Sequence, residues 1–136
     1  MTLANLAHPA DARLFRRGNK MNARRTEYAG VVYHSKAEAA MAAQLDLRKS
    51  AGDLAWWLRQ VPVNIGGVTL RVDFVVGEFN CGPDCIKVHA VEVKGMETAD
   101  WRTKKKLWRH HGPFPLHIVK NGKAVEVIEP VVKGGA

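Results

Sequence analysis

The chain is poor in the features that mark several large protein classes. It holds two cysteines in 136 residues, which excludes a disulfide-built scaffold and leaves too few thiols for a four-ligand structural zinc site. They stand as Cys81 and Cys85 around Gly82-Pro83-Asp84 and read as small residues flanking a tight turn; a disulfide is not expected in a reducing compartment. No run approaches the roughly 20 apolar residues that span a bilayer, so no membrane partner is expected. The N-terminus lacks the apolar segment of a secretory signal, which makes the cytoplasm the expected compartment. There is no internal repeat, no Gly-rich RNA loop and no aromatic-studded strand pair, which argues against a small RNA-binding protein.

Acidic residues are also in short supply. Lys and Arg number 21 against 13 Asp and Glu, a net charge of +8, and such an excess favours a polyanionic partner, most simply nucleic acid. The length suits one domain with one core. Residues 1–21 read as a flexible basic arm carrying Arg13, Arg16, Arg17 and Lys20; its basic character runs on through Arg24 and Arg25 to residue 27. Such an arm neutralises phosphates without reading sequence. A domain is expected over 22–130, and 131–136 as a disordered tail.

Within the domain, Ser35 followed by Glu38 matches a capping box and opens a helix that Gly52 ends. A strand runs from Leu54 to about Val63 with Trp56 and Trp57 on opposite faces, and Gly66-Gly67 turns the chain into the strand Val68–Val76. A second helix starts at Thr98 or Asp100 and stops at Gly112-Pro113. Leu116–Lys120 is a strand, Asn121-Gly122 a hairpin turn and Ala124–Ile128 its return. The order is α-β-β-β-α-β plus a terminal hairpin strand, an α/β fold. The helical crossover between strands 85–94 and 116–120 makes those two parallel.

Chemistry concentrates in Val72-Asp73-Phe74-Val75 and Val91-Glu92-Val93-Lys94-Gly95. Each places charge inside a β-branched run that otherwise reads as a buried strand. Glu92 and Lys94 share one face of their strand, and charges at mid-strand are costly unless they pair or hold something charged. A hairpin turning within Cys81–Cys85 and centred between Gly82 and Pro83 sets Asp73 opposite Glu92, with Cβ atoms about 5 Å apart on one face. Slipping by one residue sends Asp73 to the other face. Two carboxylates and an ammonium so arranged suit a divalent cation beside a phosphate. An exposed Glu92–Lys94 ion pair is the plainer reading of the second string, but it gives Asp73 no purpose.

In the second helix, Trp101, Leu107 and Trp108 form an apolar face beside a basic stripe of Arg102, Lys105, Lys106 and Arg109. Lys104 falls inside the apolar arc. Its stem packs on a tryptophan there, or its ammonium reaches a phosphate; both readings stay open.

The helix bearing Ser35-Lys36-Ala37-Glu38, then Asp73, then Glu92-Val93-Lys94 resembles the PD-(D/E)XK nuclease superfamily, and within it a small phage- and prophage-borne family. The likeness covers residues 22 to about 128 and includes Asn22–Tyr28, Gly30, Tyr33, Gln60 with Pro62, Asp73-Phe74, Glu92-x-Lys94-Gly95 and Lys104–Leu107. The superfamily's proline before the aspartate is replaced by Val72.

The resemblance implies a restriction-endonuclease-like core, a mixed sheet flanked by helices, that cleaves DNA phosphodiesters with Mg2+ or Mn2+. It implies metal ligation by Asp73, Glu92, the Val93 carbonyl and Glu38, with Lys94 stabilising charge. Capping alone already accounts for Glu38, and Gln60 either borders the site or satisfies a strand edge. Arg24, Arg25, Arg102, Lys104, Lys105, Lys106 and Arg109 are the expected DNA contacts. The implied setting is phage recombination, repair or replication in the host cytoplasm, with branched DNA such as Holliday junctions as substrate. Cutting two strands needs two sites, which leaves a homodimer open. The alternative is a DNA-binding module that keeps the fold without catalysis.

Overall fold

A computed structural model of the chain describes residues 24–80, 82–94 and 96–131. The arm expected at 1–21, all but the first residue of the tail expected at 131–136, and Cys81 lie outside these residues. The chain divides between Gln44 and Leu45 into two compact units.

The first unit holds an antiparallel hairpin of β1 (Thr26–Tyr28) and β2 (Val31–Tyr33), with Thr26 opposite Tyr33. This corrects the reading of residues up to 27 as arm. Ala29 and Gly30 make the two-residue turn with φ of 50° and 80°. A two-residue hairpin turn usually announces itself as Asn-Gly or Asp-Gly, and three-residue strands are too short to show alternation. Ser35 then caps α1 (Lys36–Ser50). Its hydroxyl accepts the Glu38 N–H at 3.1 Å, while the Glu38 carboxylate accepts the His34 N–H at 3.2 Å. Two orphan amides at the helix start are satisfied as the capping box requires, with the returning bond one residue earlier than usual.

α1 ends in the second unit, where Gly52, at φ 89°, lets the chain reverse. There the strands β3 (Leu54–Asn64), β4 (Thr69–Phe79), β5 (Ile86–Val93), β6 (Leu116–Lys120) and β7 (Lys123–Ile128) form one sheet in sequence order. All neighbours are antiparallel except β5 and β6, which are parallel and joined through α2 (Ala99–His111). The mixed sheet, the crossover helix and the element order agree with the sequence reading. At the β6–β7 turn, Asn121 and Gly122 have φ of 52° and 76°, the two positive values that a type I′ hairpin needs.

α2 begins at Thr98, whose hydroxyl accepts the Trp101 N–H at 3.1 Å. It delivers Trp101 and Trp108 into a core with Val63, Ile65, Leu70, Val72, Val75, Ala90, Leu116, Ile118 and Ile128. An indole buries about 150–250 Å², and at about 25 cal/mol per Å² each is worth roughly 4–6 kcal/mol of transfer free energy. The Trp108 indole N–H donates to the Phe114 carbonyl at 2.8 Å, so its polar handle is satisfied. Trp56 packs on this core and Trp57 lies on the opposite face, edge-on to Phe74, its indole N–H donating to Asp46 of α1 at 3.0 Å. A side chain at Gly77 would collide with the Trp56 indole, which explains a glycine inside a strand.

Between β4 and β5 the Asn80 N–H donates to the Cys85 carbonyl at 2.9 Å and the Cys85 N–H to Gly82 at 3.1 Å. Cys85 is disulfide-bonded. This corrects the expectation that no disulfide forms.

Candidate functional site

The β4–β5 ladder pairs Phe74 with Val91 and Val76 with His89. The paired residues end at Phe74 and Val91, and continuing that register by one residue would set Asp73 opposite Glu92, as expected from the turn. β5 is the central strand of five and pairs Glu92 with Ile118 of β6. The two acids are accordingly buried, with 7% and 5% of their surface exposed.

Their carboxylates are held by the strands themselves. Asp73 Oδ2 accepts the Val93 N–H at 2.8 Å, and Glu92 Oε2 accepts the Asp73 N–H at 3.3 Å. Gln60 Nε2 donates to Asp73 Oδ1 at 3.4 Å. Lys94 Nζ lies 3.4 Å from Glu92 Oε1, with 27% of its side chain exposed. Burial pushes the Glu92 carboxyl up to about 8, helped by the charge of Asp73 and opposed by Lys94. Burial also raises Asp73, against the Val93 N–H and Lys94. The pair therefore resists carrying two negative charges unless a cation joins it.

Gln60 borders the site. Its φ of 52° is left-handed in the middle of an eleven-residue strand. Arg59 pairs with Phe74 and Val61 with Val72, so no extra residue is inserted there. The core takes Val75 on one side of this point and Leu70 and Val72 on the other. Strict alternation puts 72 and 75 on opposite faces, so their sharing one core marks a departure from regular alternation at this point. Such a backbone costs about 1–3 kcal/mol.

Glu38 belongs to the first unit and serves as a cap partner. Arg24 and Arg25 are exposed ahead of β1. On α2, the Lys104 ammonium pairs with Asp100 at 3.1 Å. The Lys94 Nζ lies 4.2 Å from the Trp101 ring centre. Lys105, expected on the basic stripe, bridges Glu97 and Glu126 instead. Arg102, Lys106 and Arg109 are exposed and make no ion pair among the described residues.

Trp101 was legible only as part of an apolar helix face; nothing in the sequence links it to Lys94, seven residues earlier. A second polar cluster was also missed: His89 stacks on His117 at 4.0 Å between ring centres, near Glu78, which pairs with Arg48. Among the described residues, no three His, Cys, Asp or Glu side chains gather as a metal cluster. No helix is long and apolar enough to cross a membrane. Compared with protein-family models, curated proteins and solved structures, the chain matches none.

Proposed function

We propose that this protein is a Mg2+-dependent DNA endonuclease with a restriction-endonuclease-like core, Mn2+ serving as substitute. One observation carries this reading: two buried carboxylates face each other across neighbouring strands with an ammonium beside them. A purely structural sheet gains nothing from an acid pair whose ionisation it resists. The pair suits magnesium, which takes one or two carboxylates together with waters and substrate phosphate rather than a full protein cage. The absence of a third acidic ligand among the described residues is compatible with that preference.

Asp73, Glu92 and the Val93 carbonyl would hold the cation; Glu38, which the resemblance also implies, has its carboxylate on the His34 N–H. When bound, the cation polarises the phosphoryl oxygen and lowers the pKa of its water. Hydrolysis would join a water oxygen to phosphorus, break one P–O ester bond and return a proton to the leaving alkoxide. The Val93 and Asp73 amides fix the two carboxylates before substrate arrives, so no reorganisation is needed. Lys94, half-buried beside Glu92, neutralises charge that develops on the phosphoryl group. The proposed setting is phage or prophage recombination, repair or replication, on branched DNA such as Holliday junctions, and the proposed compartment is the host cytoplasm.

The test is incubation of labelled linear, single-stranded, flap and four-way DNA with and without Mg2+ or Mn2+. Cleavage in the metal lanes alone is expected. Lys94→Ala should abolish it while leaving DNA affinity largely intact, and Lys94→Arg should also be poor, because a planar fork does not replace a compact ammonium. Binding without cutting under every condition would replace this reading with a non-catalytic DNA-binding module.

A further inference from the structure

Two groups compete for the Lys94 ammonium. Glu92 is one, and a lysine beside two buried acids would ordinarily settle between them. The observed Nζ–Oε1 distance of 3.4 Å is longer than the 2.7–2.9 Å of a close charge-assisted hydrogen bond. The second group is the Trp101 ring, whose centre lies 4.2 Å from Nζ, inside the range at which an indole face attracts a cation. Trp101 is 4% exposed and belongs to the core cluster. Its position is set by Thr98, which caps the helix and takes the Trp101 N–H. The ring is therefore a rigid surface, and the lysine is the mobile partner.

We propose that Trp101 is the positioning residue for Lys94: its ring shares the ammonium with Glu92 and keeps it from settling fully onto the acid pair that is to receive a divalent cation. Without the ring, the ammonium moves onto the carboxylates and becomes the cation's competitor. Trp101 touches no reacting atom; it acts through the lysine. This inference rests on the metal reading of the acid pair for its consequence, but the seat itself exists in the protein without metal.

The experiment records the lysine ε-carbon NMR resonances of the metal-free protein, with Lys94→Ala assigning the signal, and then titrates Mg2+. A ring face shields what lies over it, so the Lys94 ε-protons are expected upfield of the other lysines before any metal is added. Trp101→Phe keeps a weaker face and should give a smaller shift. Trp101→Leu keeps an apolar core residue without a face; its Lys94 signal should fall among the other lysines, with Mg2+ affinity roughly 2- to 30-fold weaker, as the loss of one such contact implies. A Lys94 signal at the ordinary lysine position in the wild-type protein overturns the proposal whether or not any variant folds. So does a folded Trp101→Leu protein that binds Mg2+ as the wild type does. A wild-type protein that ignores Mg2+ overturns the metal reading and this role together, and the upfield signal, read beforehand, distinguishes that outcome from a missing seat.

Discussion

Glu92 is the residue at which burial and charge meet most directly, and its behaviour with pH follows from the sign of its shift. Its carboxyl is raised from the usual 4.5 to about 8, so between those values the unfolded chain has released a proton that the folded chain retains. Stability of the metal-free protein therefore falls as pH rises through this window. Glu92→Gln should flatten that slope, and Asp73→Asn should lessen it by removing the second cause of the shift. Both variants should be as stable as the wild type or more so without metal. Thermal midpoints between pH 5 and 9 would show this. Saturating Mg2+ should raise the wild-type midpoint, most strongly toward the alkaline end where protons no longer compete for the site; neither variant should respond. A wild-type midpoint indifferent to metal across this range would remove the cation from the site. His89 tilts the acid side the other way. Burial lowers it to about 4, with the neighbouring His117 adding to the effect, so its contribution is whole above 6.5 and is lost as pH falls toward 4. The Glu92 effect is accordingly read as the difference between wild type and Glu92→Gln, not from the wild-type curve alone.

Among the elements, the two helices carry opposite lessons about charge. At the start of α1, the Glu38 carboxylate already has a structural task. Glu38→Gln keeps a group that accepts the His34 N–H, so a cap-only glutamate predicts unchanged stability and an unchanged Mg2+ requirement. A rise in the Mg2+ needed for half-maximal cutting, with the midpoint preserved, would make it a ligand as well. Ser35→Ala, by contrast, should cost about 1 kcal/mol in either case. On α2, identical cations have different fates. Lys104 and Lys105 are engaged by Asp100, Glu97 and Glu126, while Arg102, Lys106 and Arg109 recur at i, i+4 and i+7 on one exposed stripe. Replacing each of these three with Gln should reduce the slope of log K against log salt on duplex DNA by about 0.9. Lys105→Gln should leave that slope alone and lower the thermal midpoint. Equal slopes for all four variants would mean that the helix does not face the phosphates.

For the whole molecule, the net charge of +8 is distributed unevenly along the chain. Residues 1–20 contain Arg13, Arg16, Arg17 and Lys20 against the single acid Asp11. Deleting them should leave the Mg2+ response of the midpoint intact, because Asp73, Glu92 and Lys94 lie in the second unit. The same deletion should shrink the salt slope by about 3–4 units if all four cations meet phosphates. Cutting should slow at dilute substrate and keep its rate at saturation, since removing uniform binding raises KM without changing kcat. An unchanged slope would assign the binding charge to the Arg102–Arg109 stripe.

Local pattern alone determined much of this. Turn residues and β-branched runs marked every element of the five-stranded sheet. A five-residue turn together with the period of two placed Asp73 opposite Glu92, because register in a half-buried hairpin is set by turn and pattern together. The β1–β2 hairpin escaped, since its Ala-Gly turn and three-residue strands carry no such signal. Only tertiary structure decided which cations are spoken for. Helical spacing places Lys104, Lys105 and Lys106 side by side, but Glu126 comes from β7 to meet Lys105, and a partner 21 residues away leaves no trace in a helix's own period. The same holds for Gln60 and Trp101. One turns left-handed inside a strand, and the other meets Lys94 where the helix capped at Thr98 enters the core. Both depend on how separate elements pack, a property that no single stretch of sequence contains.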